Sequence, residues 1–406
     1  MTHYRRWFHL GFTVPIAMLT LGCMSSSPQE VVTLPSAPPP DVVPHQREAN
    51  DVARFIAGLP GTDGSAFADL ETSDVWKEHR RALDNTWHRA ETSLIGGLRE
   101  FQEKELSEAS RDATVFYPFG GPDALTVALC FPHSPAYVLV GLEPPGTLPG
   151  FAQIEKRNLP KYLGDVRDTM ASELGRSFFI TRQMDQQFRG QVTDGLLLPI
   201  LHLLVRIHQT ILGFRYVRLD ENGQVIERDP DEKLTAKFWN RGVEIEFGSD
   251  ADESIHRLYY FSVNLSDQRL RENHAFLAYY ARLNAKTTMF KATSYMTHRP
   301  DFSVIRNLVL ANSTAILQDD SGIPYRFFNP DRWNTQLYGT YVRPYGSFRW
   351  LEQADLRKAY GAPGAKPLAI RIGYGYSRVP SNLLLAQRAS TSAQVQNARG
   401  GALNQP

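Results

Sequence analysis

Lys291, Ser294, His298, Asp319, Asp320 and Ser321 all fall within the stretch Thr287–Phe328. Nucleophilic catalysis needs a hydroxyl, a base within hydrogen-bond reach, and a group that orients the base. Ser294 or Ser321 would supply the hydroxyl, His298 the base, and Asp319 or Asp320 the orienting carboxylate. Ser294 and His298 are four positions apart and share a face of any helix that carries them. Lys291 is an alternative base, but K-A-T-S reverses the S-x-x-K order of penicillin-binding enzymes, and there is no G-x-S-x-G elbow. On a strand, Asp319 and Asp320 would point to opposite faces, which argues against an acid–base pair made of these two alone. Asp-Asp-Ser-Gly is also a good turn sequence with no chemistry attached. The block therefore reads three ways: catalytic, binding, or structural only.

The elements that must position these groups are short. Thr287–Phe290 reads as a strand. Thr293–Arg299 reads as a helix ended by Pro300, and Asp301 as the cap of the next helix, with Phe302, Ile305, Val309 and Asn312 stepping round one face. Thr314–Leu317 reads as a strand, Gln318–Pro324 as a turn, and Tyr325–Phe328 as the returning strand. An aromatic tract follows. Trp333, Tyr338 and Tyr341, with Arg326, are candidate binding residues, because aromatics beside polar side chains grip sugars or peptides. The competing reading makes them core.

Upstream, Ser73 or Asp74 caps a long helix whose apolar stripe is Trp76, Leu83, Trp87, Leu94, Leu98 and Phe101. Val52–Leu59 is a shorter helix before it, capped by Asn50 or Asp51. A βαβ-like unit follows: strand Thr114–Tyr117, a Gly120-Gly121-Pro122-Asp123 turn, helix Asp123–Phe131, and the buried parallel-type strand Tyr137–Leu142. Strand–Gly-Gly–helix could cradle a phosphate, but Asp123 would repel one there. Leu159–Arg189 reads as helical. Val192–Leu212 reads as a buried helix kinked at Pro199, with His202 and Arg206 on one face. Glu221-Asn222-Gly223 marks a hairpin between Tyr216–Leu219 and Gln224–Glu227. Gly242–Phe247 and Arg257–Leu265 are strands around the acidic loop Ser249–Glu253, which lacks the spacing of an EF-hand. Asp267–Asn284 is an amphipathic helix, Ala354–Tyr360 a helix, and Pro367–Tyr374 a strand.

Lys and Arg number 44 against 43 Asp and Glu, so the net charge is +1. That lacks the basic footprint of a nucleic-acid binder. At 406 residues the chain has room for a sizeable core. Residues 1–23 have a basic start (Arg5, Arg6), an apolar middle and Gly22-Cys23, the pattern of a secretory signal. Leu19–Cys23 resembles the lipobox of bacterial lipoproteins, with Thr20 where leucine is usual, and implies lipidation of Cys23. Met24 and Ser25 behind it favour the outer membrane, and Arg5-Arg6-Trp7-Phe8 partly resembles a twin-arginine signal. Residues 24–47, rich in Ser and Pro, read as a disordered tether, and residues 389–406 as a disordered tail. Cys130, in an apolar run, reads as a buried small hydrophobe.

The succession VFYPFGGPD, YVLVGLEP, KATSYMTH, QDDSGIPYRFF and IGYG…NLLLA resembles a family of uncharacterised bacterial secreted proteins and lipoproteins over residues 110–388. The resemblance implies no catalytic residue, substrate or cofactor. The expected architecture is α/β, mixed α+β: a central mixed sheet with flanking helices, preceded by a lipoprotein signal and a disordered tether. Residues 48–388 would form the globular domain, or two interlocked halves divided near residue 215. The expected role is binding or assembly at the cell envelope, with a periplasmic hydrolase using residues 291–321 as the alternative. The expected partners are the membrane, through Cys23, and an envelope glycan or another envelope protein, with no nucleic acid, metal or cofactor.

Overall fold

Five short strands pair side by side in parallel and make the centre of the sheet. The computed structural model describes residues 44–107, 113–155, 157–176, 196–230, 240–249, 254–284, 286–375 and 381–389. The strands are β1 (Thr114–Pro118), β2 (Ala136–Gly141), β3 (Thr210–Leu219), β4 (Val225–Glu227), β5 (Arg241–Gly248), β6 (Ile255–Ser262), β7 (Lys286–Phe290), β8 (Ser313–Gln318), β9 (Trp333–Gly339) and β10 (Asn382–Arg388). They form one mixed sheet in the order β4-β3-β5-β6-β2-β1-β7-β8-β10-β9. The central run β6-β2-β1-β7-β8 is parallel throughout. Both flanks are antiparallel. Strands from before and after residue 215 thus interlock in one sheet.

Alternate residues of the central strands enter two different cores, as a period of two requires. Val115, Tyr117, Leu139, Met289 and Leu317 pack on one face with the helices Ala124–Cys130 and Leu197–Arg206. Phe116, Val138, Phe290 and Ile316 pack on the other with the helices His274–Arg282 and Ser303–Asn312. Burial on both faces explains why Tyr137–Leu142 reads as a continuous apolar run. Cys130 is buried, and burial pushes its thiol up to about 12, so it is an inert core residue.

The βαβ unit, the Ser73 cap and the Glu221–Gly223 hairpin form as their sequences predict. Other elements differ. A helix spans Pro44–Ile56, so residues 44–47 belong to it rather than to the tether. Asn50 and Asp51 then lie inside that helix and bond outward, accepting from Ile211 N and Thr62 N. Pro199 sits in the first turn of Leu197–Arg206, where it breaks no helical hydrogen bond. The chain turns at His208 (φ 65°) and enters β3 at Thr210, inside the expected helix. Asn273 divides Asp267–Asn284 in two and caps the second helix by accepting from Phe276 N. Tyr325–Phe327 is a 3-10 turn instead of a strand, and residues 367–372 form no strand. The signal segment, Cys23, residues 24–43, 177–195 (with the end of the expected Leu159–Arg189 helix), 250–253 and 390–406 lie outside the described residues. Among the described residues no helix is long and apolar enough to cross a membrane.

Candidate functional site

β1 and β7 are neighbours, and their connections leave to opposite faces. After β1 the chain enters the helix Ala124–Cys130 on one face, and after β7 it reaches the helix Ser303–Asn312 on the other. Between diverging connections an open parallel sheet leaves a crevice at the carboxyl ends of its strands, the usual ligand position in such folds. A cleft of about 180 Å³ lies there. Its walls come from the ends of four strands: Phe119–Gly121 after β1, Leu142 and Glu143 after β2, Val263–Leu265 after β6, and Lys291–Ser294 after β7.

The floor holds a buried ion pair. Lys291 Nζ lies 2.6 Å from Asp123 Oδ2, with the two side chains 3% and 2% exposed. Lys291 also donates to Thr126 Oγ1 at 2.8 Å. Asp123 caps the helix Ala124–Cys130, its Oδ1 accepting from Thr126 N at 3.2 Å and from the Thr126 hydroxyl at 2.8 Å. Tyr117 donates its hydroxyl to Oδ2 at 3.0 Å. Burial, then the charge of Asp123, raises the Tyr117 phenol well above its ordinary value, so it remains a donor. The ammonium reaches this carboxylate because Val115 and Thr287 are in parallel register, which brings the ends of β1 and β7 level.

The backbone after β7 is not the expected helix. Ala292, Ser294 and Tyr295 have φ of 51°, 53° and 53°, and only then does a 3-10 turn, Met296–His298, begin. Left-handed backbone costs a non-glycine residue about 1–2 kcal/mol. Side chains from later loops hold it in place. Asp319 Oδ2 accepts from Ala292 N at 2.8 Å, Ser321 Oγ from Thr293 N at 2.8 Å, and the Tyr374 hydroxyl from Ser294 N at 3.0 Å. Phe119, across the cleft, has φ 63°. Strained backbone of this kind gathers at functional sites.

These contacts settle where the sequence candidates stand. Ser321 is fully buried and donates its hydroxyl to Asp319 Oδ1 at 2.5 Å. Asp319 and Asp320 face apart, Asp320 accepting from Tyr295 at 2.5 Å and Asn382 at 3.3 Å. Burial raises both carboxyls, and the neighbouring Asp319 helps push Asp320 up to about 7. Ser294 lines the cleft but bonds to Tyr374, 3.2 Å away. His298 packs its ring edge-on against Tyr295 and its Nε2 is buried without a partner. Burial, then Arg326, lowers His298 to about 4, with the carbonyls of Asp320 and Gly322 opposing. No serine–histidine–carboxylate relay joins these residues. Ser294 and His298 do not share a helical face because the helix that would align them does not form.

The aromatic candidates lie away from the cleft. Trp333 is buried, edge-on to Phe328 and under the Arg388 guanidinium at 4.4 Å. Tyr338 is buried and donates to Glu105 at 2.8 Å. The Tyr341 hydroxyl accepts from Gln353 N at 3.3 Å. Arg326 is exposed and lies over Phe327 at 4.9 Å. Among the described residues no three His, Cys, Asp or Glu side chains gather as a metal site requires. Of the sequence candidates, Lys291 and Ser294 line the cleft. Asp123, Thr126 and Tyr117 were missed as site residues, although Gly-Gly-Pro-Asp after a parallel-type strand was the available signal. No family model matches this chain, and no curated protein matches it significantly.

Proposed function

We propose that this protein is a lipid-anchored component of the bacterial cell envelope that binds a small molecule in the cleft at the carboxyl ends of β1, β2, β6 and β7. One observation carries the binding reading: a cleft whose floor is a buried Lys291–Asp123 pair lies where the connections of β1 and β7 diverge. Strained backbone on both sides of it supports the same reading. The envelope reading rests on residues 1–23 and their lipobox-like end. A small molecule is favoured over a glycan chain because the candidate aromatics Trp333 and Tyr338 are buried in internal contacts and lie away from the cleft.

Both halves have direct tests. Labelled palmitate should enter the wild-type chain and not Cys23→Ala, and only the wild type should fractionate with membranes. An unlabelled wild type would end the anchoring proposal. In a thermal-shift screen of small molecules, hits should stabilise the wild type and not Asn264→Trp, which plugs the cleft mouth. Hits that stabilise both equally would place binding elsewhere.

A further inference from the structure

The hydrogen-bond inventory of the cleft floor says what kind of molecule fits it. A carboxylate has about four acceptor positions, and those of Asp123 are filled by Tyr117, Lys291, Thr126 N and the Thr126 hydroxyl. That hydroxyl donates to Asp123 and accepts from Lys291. The amides of Ala292, Thr293 and Ser294 already donate to protein side chains. An ammonium has three N–H donors, and Lys291 uses two, on Asp123 and Thr126. Among these side chains and amides the Lys291 ammonium keeps an open donor, while the Asp123 carboxylate has no acceptor position left.

Charge narrows the choice. The ionisable residues lining the cleft are Lys291, Asp123 and Glu143, two carboxylates against one ammonium. An anion would meet a net negative lining, and a cation would meet the Lys291 ammonium at the floor. The rest of the lining is mostly apolar, Val140, Leu142, Val263, Leu265, Met296 and Phe302, with Ser294 and Asn264 among its uncharged polar side chains.

We infer that the cleft selects a small uncharged molecule with an apolar body and one carbonyl oxygen, which accepts the third N–H of Lys291. This deepens the small-molecule reading above and rests on it. An amide, ketone, ester or lactone has the required chemistry. A carboxylate or an amine of the same shape does not.

Four probes of matched shape test it: isovaleramide, methyl isobutyl ketone, isovalerate and isoamylamine, titrated into the wild-type protein and followed by NMR. The amide and the ketone should bind more tightly than both charged probes, by on the order of tenfold, and Asn264→Trp should lose them. Isovalerate or isoamylamine binding as tightly as the amide would overturn the ligand class while leaving the cleft a binding site. No binding by any of the four would instead count against the cleft-binding reading itself. The double variant Asp123→Asn/Lys291→Met keeps the floor's approximate volume and should lose the preference for a carbonyl. An unchanged preference there would remove Lys291 from recognition. Should the double variant not fold, the wild-type series still decides the ligand class.

Discussion

Lys291 Nζ stands 2.6 Å from the carboxylate of Asp123, and neither side chain reaches solvent appreciably. A pair buried so completely constrains the protein more by what happens when half of it is lost than by its net strength. Lys291→Met leaves a buried carboxylate without its cation and should lower unfolding free energy by about 3–5 kcal/mol. Asp123→Asn/Lys291→Met should lose much less than the sum of the single variants, because it removes both charges together. Urea unfolding of the three variants gives the coupling directly. Additive losses would mean that the two charges do not depend on each other.

The Ala292 backbone supplies a second test. Its φ of 51° is one that glycine adopts freely and alanine does not. Ala292→Gly keeps the amide that donates to Asp319 and removes the strain, so stability should rise by about 1 kcal/mol. Ser321→Ala should act in the opposite direction. It strips a buried hydroxyl from Thr293 N and Asp319 and should cost about 1–3 kcal/mol. Equal, small effects from both would show that the loop is not held by these contacts.

Gly373 fixes the other side of the same carboxylate. Its φ is +63°, and a Cβ there would lie 2.1 Å from Asp319 Oδ2. Gly373→Ala must move Asp319 or the backbone, and either loosens the hold on Ala292 N. The variant should be strongly destabilised and should show shifted backbone amide signals from Ala292 to Tyr295. A native-like spectrum there would disprove the close packing.

How far the sequence foretold this site depends on the range of the contacts involved. The Gly-Gly-Pro-Asp turn, the Asp123 helix start and the parallel strands around it were legible, because turn chemistry and apolar runs are local signals. Asp319 and Asp320 do bond to different partners, but they stand in the turn beyond the end of β8, so the period of a strand is not what separates them. The Lys291–Asp123 pair was not legible. It depends on β1 pairing with β7, and nothing near either residue announces that register. β10, far along the chain, inserts between β8 and β9, a placement no local pattern announces. β9 was hidden among aromatics. Thr293–Arg299 carried a helical spacing, but tertiary contacts from Asp319, Ser321 and Tyr374 impose left-handed backbone there instead.

The last prediction concerns pH. Burial and Asp319 raise Asp320 to about 7, above the roughly 3.9 of an unfolded aspartate. A folded-state value raised above the unfolded one gives stability that is complete below about pH 4 and is lost as pH climbs towards 7. His79 and His298 work the other way. Burial lowers both to about 4, so their contribution is complete above about pH 6.5 and is lost as pH falls towards 4. The two slopes oppose each other across the same window. Buried His202, also lowered, adds to the histidine slope, so Asp320 offsets only part of it in the wild type. Asp320→Asn can still accept from Tyr295 and, with the Asn382 amide turned over, donate to it, but it cannot ionise, so it removes that offset to the histidine slope. Its midpoint in urea should rise more steeply with pH than that of the wild type. Parallel curves for the two proteins would show that Asp320 does not titrate in this window.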